Sequence, residues 1–281
     1  MRGRESAETA PILEGAGTID LQEEGSDGVL LLHGFGDTPQ TLSALAQRLH
    51  KNGFSVFAPL LPGHGRTMRE FRASRATQWI EAADSALSAM LLTHRTVSLV
   101  GLSMGGAIAT VLAARTQRLT SVVLIAPYLG MPRLLRVAAA THWLWGKAAG
   151  EINARNPRSI RNPIEREKNL AYGAVTGRQL YELLKVVRQA REALPSVSAP
   201  TLLIQSREDP RIAPGIAERS LEVLGAREKK LVWTEGAGHI ITVDYGRERV
   251  FTETESWLKV HAQSGATAAR KTQAAVERHS S

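Results

Sequence analysis

Gly101-Leu102-Ser103-Met104-Gly105 sets a hydroxyl between two glycines, each two residues away, directly after the apolar run at 97–100. A serine so placed, between a strand and a helix, has the pattern of a nucleophile held on a sharp turn. Side chains at minus two and plus two would clash there, so glycine fits, and the strain lifts the hydroxyl into a cleft. The bare string arises by chance about 0.1 times in a chain of this glycine and serine content, so its partners must decide. A serine hydroxyl is a weak nucleophile at neutral pH; it needs a base, and the base needs an orienting acid. Asp209, in Ser206-Arg207-Glu208-Asp209-Pro210, follows the apolar run at 201–205, and His239, in Glu235-Gly236-Ala237-Gly238-His239, follows the run at 230–234. Glu208 is the alternative acid, and Asp244 suits the N-cap of a last helix.

Acyl transfer through such a serine also needs donors for the developing oxyanion, and these are main-chain N–H groups after the nucleophile and after an early strand. Here they fall on Met104 and on Phe35, the latter in the glycine-rich loop His33-Gly34-Phe35-Gly36. His33 and His64 have no partner at ligand spacing, so they read as braces of loops and not as metal ligands. The absence of cysteine excludes disulfides, thiolate metal sites and a cysteine nucleophile.

The elements that must position these groups follow from periodicity. Short apolar runs at 29–32, 54–57, 97–100, 122–125, 201–204 and 231–233 read as buried strands. Between them lie amphipathic helices: one marked by Leu42, Leu45, Ala46 and Leu49 after Thr38-Pro39, another by Trp79, Ile80, Ala83, Leu87, Met90 and Leu91. This alternation predicts an α/β fold, a mostly parallel sheet with helices on both faces. Roughly seventy residues separate the strands on either side of 127–199, far more than one connection needs, and this predicts a helical cap over the carboxyl edge of the sheet. The core then comprises 11–126 and 200–261; 1–10 reads as a flexible N-terminus and 262–281 as a tail without stable structure.

Composition bounds the partners. A net charge of +8 favours anionic surfaces, but only 5% of residues are aromatic and the basic residues are scattered, apart from a run at 155–168, which argues against nucleic acid. No apolar stretch approaches the roughly 18 residues of a membrane span and no signal core follows the start, so a cytoplasmic location is expected. The basic, Trp-bearing segment 133–147 is a candidate for transient contact with lipid surfaces, although its apolar residues are expected to face the substrate. Oligomeric state leaves no trace in the sequence.

Taken with His33-Gly34-Phe35-Gly36-Asp37-Thr38-Pro39, Leu61-Pro62-Gly63-His64-Gly65 and Gly238-His239-Ile240-Ile241-Thr242-Val243-Asp244-Tyr245, the elbow resembles the α/β-hydrolase superfamily. Within it, the chain is similar to the bacterial carboxylesterase and monoacylglycerol lipase group over about residues 11–260. The resemblance implies the α/β-hydrolase fold, the catalytic set Ser103, Asp209 and His239, and hydrolysis of short- to medium-chain acyl esters or monoacylglycerols without a cofactor. The cap stretch Asn169-Leu170-Ala171-Tyr172-Gly173-Ala174 resembles that group but carries no carboxylate, so the resemblance implies a broad esterase ahead of a glycerol-specific one. The same three residues would equally serve an acyltransferase or a thioesterase, and the fold alone would serve a ligand-binding protein.

Overall fold

The computed structural model describes residues 10–279, with side chains over 10–263. Nine strands are present in these residues: β1 (Ile19–Leu21), β2 (Asp27–Leu32), β3 (Phe54–Ala58), β4 (Thr96–Leu102), β5 (Leu119–Ile125), β6 (Glu151–Asn153), β7 (Ala174–Thr176), β8 (Thr201–Ser206) and β9 (Lys229–Thr234). Seven of them form one sheet in the order β1-β3-β2-β4-β5-β8-β9. β1 pairs antiparallel with β3, and every other pairing in that sheet is parallel. The three residues of β1 are too few, and too polar around them, to register as a periodic run.

Each central strand splits its side chains between two cores, as the twofold strand period requires. Leu30, Leu32, Leu99, Val122, Leu124 and Leu203 enter one buried cluster, whereas Val29, Leu31, Val100, Val123, Ile125, Leu202 and Ile204 enter the other. The helices are α1 (Ser43–Lys51), α2 (Met68–Ala73), α3 (Ala76–Thr93), α4 (Met104–Arg115), α5 (Arg133–Ala140), α6 (His142–Ala149), α7 (Pro163–Lys168), α8 (Gly177–Ala193), α9 (Pro214–Val223) and α10 (Arg247–His279). α3, α4 and α8 close the first cluster; α1 and α10 close the second. This is the α/β-hydrolase fold, a doubly wound sheet whose carboxyl edge carries the loops.

α4 is buried along nearly its whole length, and its small residues Gly105, Gly106, Ala107, Ala109 and Ala113 let it lie close to the sheet on one side and α8 on the other. Residues 127–199 hold α5, α6, the antiparallel pair β6–β7, α7 and α8. Of these, α8 puts Leu183, Leu184, Val187 and Ala190 into the core beneath, so it serves as a crossover helix as well.

Two expectations differ from what is seen. Helix α10 runs on to His279 through the segment expected to lack structure, and the Ala, Gln, Lys, Arg and Glu that dominate it are all good helix formers. The expectations for residues 1–9 and 280–281 lie outside the described residues. In α5 and α6, Leu134, Val137, Trp143 and Leu144 face solvent, while Leu135, Ala139 and Trp145 pack inward. Eight-residue amphipathic helices have only one face to offer the core, so the segment divides its apolar residues between both sides. Among the described residues no helix is long and apolar enough to cross a membrane.

Candidate active site

Ser103 stands between β4 and α4 with φ 54° and ψ −115°, one of two non-glycine residues with positive φ in the described chain. Such a conformation costs on the order of 1–3 kcal/mol and persists only where its surroundings enforce it. The glycines around it are enforced by backbone. A Cβ on Gly101 would stand 2.3 Å from the Gly105 carbonyl oxygen, and one on Gly105 would stand 2.0 Å from that of Leu32 on β2. Three backbone bonds hold the turn: Ser103 N–H donates to Ile125 O at 3.0 Å, and Ser103 O accepts from Ala107 and Tyr128 at 3.1 and 2.9 Å.

The hydroxyl meets His239. Ser103 Oγ lies 2.8 Å from His239 Nε2, and His239 Nδ1 lies 2.8 Å from Asp209 Oδ2. All three side chains are buried. Asp209 follows β8, where its Oδ2 also accepts from Gln205 Nε2 at 2.8 Å and its Oδ1 accepts the N–H groups of Arg211 and Ile212 at 2.7 and 3.0 Å. Burial pushes this carboxyl upward, but the charge and hydrogen bond of His239, with those further donors, outweigh it and hold Asp209 below the usual carboxylate range. Glu208 points elsewhere: its Oε2 accepts Gly236 N–H at 2.6 Å and meets Arg161 Nη1 at 3.3 Å.

Phe35 and Met104 flank the hydroxyl from two elements. Met104 is the first residue of α4, so its N–H has no partner within the helix and lies at the positive end of the helix dipole. Phe35 follows Gly34, where a Cβ would lie 3.5 Å from Ser103 Cβ. The loop is braced by His33, fully buried, whose Nε2 accepts Leu61 N–H at 3.1 Å. Its Nδ1 therefore carries the proton and donates to Gly34 O at 2.9 Å. His64 packs edge-on against it with centroids 5.0 Å apart. Burial, reinforced by His64, keeps His33 well below the ordinary histidine range, and burial lowers His64 to about 4. Both rings are neutral braces. Among the described residues no cluster of three or more His, Asp or Glu could hold a metal ion.

Above the serine is a cavity of about 860 Å³, roofed by the cap. Phe35, Ser103 and His239 line it, as do Leu135, Val175, Leu180 and Leu183 from the cap; Met104 and Asp209 stand behind its wall. Tyr172 staples this roof to the core, for its N–H donates to Gly36 O at 3.0 Å, its hydroxyl to Gly63 O at 2.9 Å, and its ring stacks on Phe71.

Two residues with structural roles at the site gave weak signals in the sequence. Asp244, expected to cap α10, instead gathers four N–H groups: Gly238 and Arg161 on Oδ2 at 2.7 and 2.8 Å, Asn162 and Tyr245 on Oδ1 at 2.9 Å each. It ties the cap to the loop that carries His239, and helix α10 begins three residues later, out of reach of that side chain's usual cap geometry. Arg211 donates to Ser159 Oγ at 2.9 Å and Ala154 O at 2.6 Å, tying the Asp209 loop to the same cap segment. The cap groups that bind them, at 161 and 162 for Asp244 and at 154 and 159 for Arg211, lie 52 to 83 residues away in the chain, and no local pattern announces them.

The family described as serine aminopeptidase, S33, matches residues 25–245. A thermostable monoacylglycerol lipase from Bacillus sp. (strain H-257) is 28% identical over 258 residues, spanning 91% of this chain and 99% of its own. A carboxylesterase from Bacillus subtilis (strain 168) is 22% identical, spanning 84% and 93%. Among solved structures, one reported with LipS and LipT, two metagenome-derived lipolytic enzymes, superimposes with a TM-score of 0.82 at 29% identity and covers 89% of this chain and all of the other. The monoacylglycerol lipase of Paleococcus ferrophilus, at 23% identity, a TM-score of 0.74 and coverages of 87% and 98%, shares the fold.

Proposed function

We propose that this chain, a serine hydrolase belonging to the α/β-hydrolase family described as serine aminopeptidase S33, cleaves carboxylic esters through an acyl-enzyme on Ser103. The observation that carries the reading is the unbroken hydrogen-bonded sequence from Ser103 Oγ through His239 to Asp209, both links 2.8 Å long. In the first step Ser103 attacks the ester carbonyl while His239 Nε2 takes its proton. The N–H groups of Phe35 and Met104 receive the oxyanion, a contribution of about 3 kcal/mol per donor in such sites. His239 then protonates the departing alcohol. In the second step His239 activates water, which releases the acid and restores Ser103. Asp209 fixes the imidazole tautomer and stabilises its cation.

An apolar wall of Leu135, Val175, Leu180 and Leu183 suits the acyl chain of a short- to medium-chain ester, and the lipase and carboxylesterase names of the relatives favour an ester over the peptide of the family's description. Monoacylglycerols fall within that class. A fluorophosphonate probe should label Ser103 and no other serine, and Ser103→Ala should abolish labelling. A series of esters of increasing chain length, with a monoacylglycerol and a matching amide alongside, then fixes the substrate. A folded wild type that neither takes up the probe nor turns over any member would remove the reading.

A further inference from the structure

The outer face of the cap is apolar and basic at once. Leu134, Val137, Trp143 and Leu144 are 86%, 55%, 70% and 65% exposed, far beyond the scattered exposure of single apolar residues on a surface. Arg133, Arg136 and Lys147 are exposed beside them, and none of the three enters an ion pair among the described residues. There is no Asp or Glu anywhere from 131 to 150. In α5 the residues 133, 134, 136 and 137 share one side, and in α6 residues 143, 144 and 147 share one, as the 3.6-residue period requires.

The inner side of the same two helices is fixed. Leu135 lines the substrate cavity, Ala139 is fully buried, and Trp145 Nε1 donates to Ala138 O at 3.0 Å, locking α6 to α5. The pair cannot turn its outer residues inward without emptying that core.

We propose that α5 and α6 form a docking face for an anionic lipid surface, with Leu134, Val137, Trp143 and Leu144 entering the interface and Arg133, Arg136 and Lys147 meeting lipid phosphates. An indole and aliphatic side chains flanked by cations are the chemistry that interfacial helices use, apolar burial giving depth and the cations giving preference for negative headgroups. A second copy of the chain is a poorer occupant, because a twofold contact would bring the uncompensated cations of one face against those of the other. Docking there would set the roof of the cavity against the phase in which amphiphilic esters reside. The inference does not depend on the esterase reading, since binding is measured without turnover.

The test is sedimentation of the full chain with vesicles of phosphatidylcholine alone and with about one-third phosphatidylglycerol, at low and high salt. The wild type should bind the anionic vesicles about tenfold or more tightly than the neutral ones, and lose most of that preference at high salt. Arg133→Gln/Arg136→Gln/Lys147→Gln should abolish the preference. Leu134→Ser/Trp143→Ser should weaken binding to anionic vesicles at both salt concentrations, while circular dichroism and the thermal midpoint stay at wild-type values. Absence of binding by the wild type overturns the proposal, as does binding indifferent to both sets of substitutions. A concentration-dependent dimer that disappears in the Leu134→Ser/Trp143→Ser variant would assign the face to a second copy instead.

Discussion

The carbonyl of Ser159, in the cap, accepts the backbone N–H of His239 at 2.8 Å. It also accepts that of Ile240 at 2.9 Å, so the proposed base hangs from the roof of the cavity by its own main chain. Gly238 makes this approach feasible: a Cβ there would stand 2.1 Å from Arg158 O and 2.6 Å from Ser159 O. Cap and base are therefore one mechanical unit, and the acid loop joins it through Arg211 on Ser159 Oγ.

The acid assignment separates two neighbouring carboxylates. Asp209→Asn should lower kcat by about 10³–10⁴-fold, because an amide cannot hold the imidazole in the tautomer that accepts the serine proton. Glu208→Gln should change it by less than about threefold, since that group meets only an exposed arginine and a loop N–H. Steady-state kinetics on one soluble ester decides; the reverse order of effects would move the acid to Glu208.

At the elbow, Gly105→Ala should remove activity by removing the fold. The new methyl would meet Leu32 and His33 backbone oxygens at 2.0 and 2.7 Å, and neither can give way without moving β2. We expect a loss of about 3 kcal/mol or more in urea unfolding. Gly34→Ala is the contrast: its nearest contact, 3.5 Å from Ser103 Cβ, is ordinary packing, so the variant should fold normally and lose turnover through crowding above the serine. Normal turnover with Gly105→Ala would show that the turn is looser than its contacts imply.

Asp244 should behave as a clamp. Asp244→Asn replaces one of two acceptor oxygens by an N–H that faces other N–H groups, and charged hydrogen bonds of this kind are worth about 1.5–3 kcal/mol. Thermal unfolding should shift accordingly, and kcat should fall more than KM rises, since the residue holds the His239 loop and does not touch the cavity. Wild-type values for both would reduce Asp244 to a loop residue.

What the sequence discloses and what it hides divide along one physical line. The runs 29–32, 97–100, 122–125 and 201–204 each became a central strand because continuous apolar character has no other use in a sheet covered on both faces. Ser103, Asp209 and His239 stand out as candidates because each lies just past a strand run beside a residue type that marks a turn, and their side chains are hydrogen-bonded to one another in the structure. By contrast, Asp244 was legible as acidic but not as a clamp, since its donors at 161 and 162 come from another segment. Likewise the outward face of α5 and α6 could not be read from apolar content alone: periodicity gives a face its residues but not its direction.

The last prediction concerns Asp37, which lines the cavity but serves no step of the proposed reaction. Its Oδ2 accepts the Thr41 hydroxyl at 2.8 Å, while its buried Oδ1 has no hydrogen-bond partner among the described residues. Burial raises this carboxyl to about 6, against the opposing influence of Thr38, Thr41, His239 and Asn169. A folded-state value above the unfolded one means that the protonated form is favoured by folding. Its stabilising contribution is complete below the unfolded value near 3.8 and is lost as the pH rises through about 6. At pH 8 the wild type therefore carries a buried charge that costs on the order of 3 kcal/mol, a cost that Asp37→Asn avoids while keeping an acceptor for Thr41. The thermal midpoint of Asp37→Asn should exceed that of the wild type above about pH 7 and converge with it at about pH 4 and below. The neutral braces His33 and His64 destabilise both proteins in acid alike, through the window between 6.5 and about 4 for His64, so the difference between the two melts isolates Asp37. A gap that stays constant across that range, or widens toward acid, would show that Asp37 is held as a carboxylate by the fold.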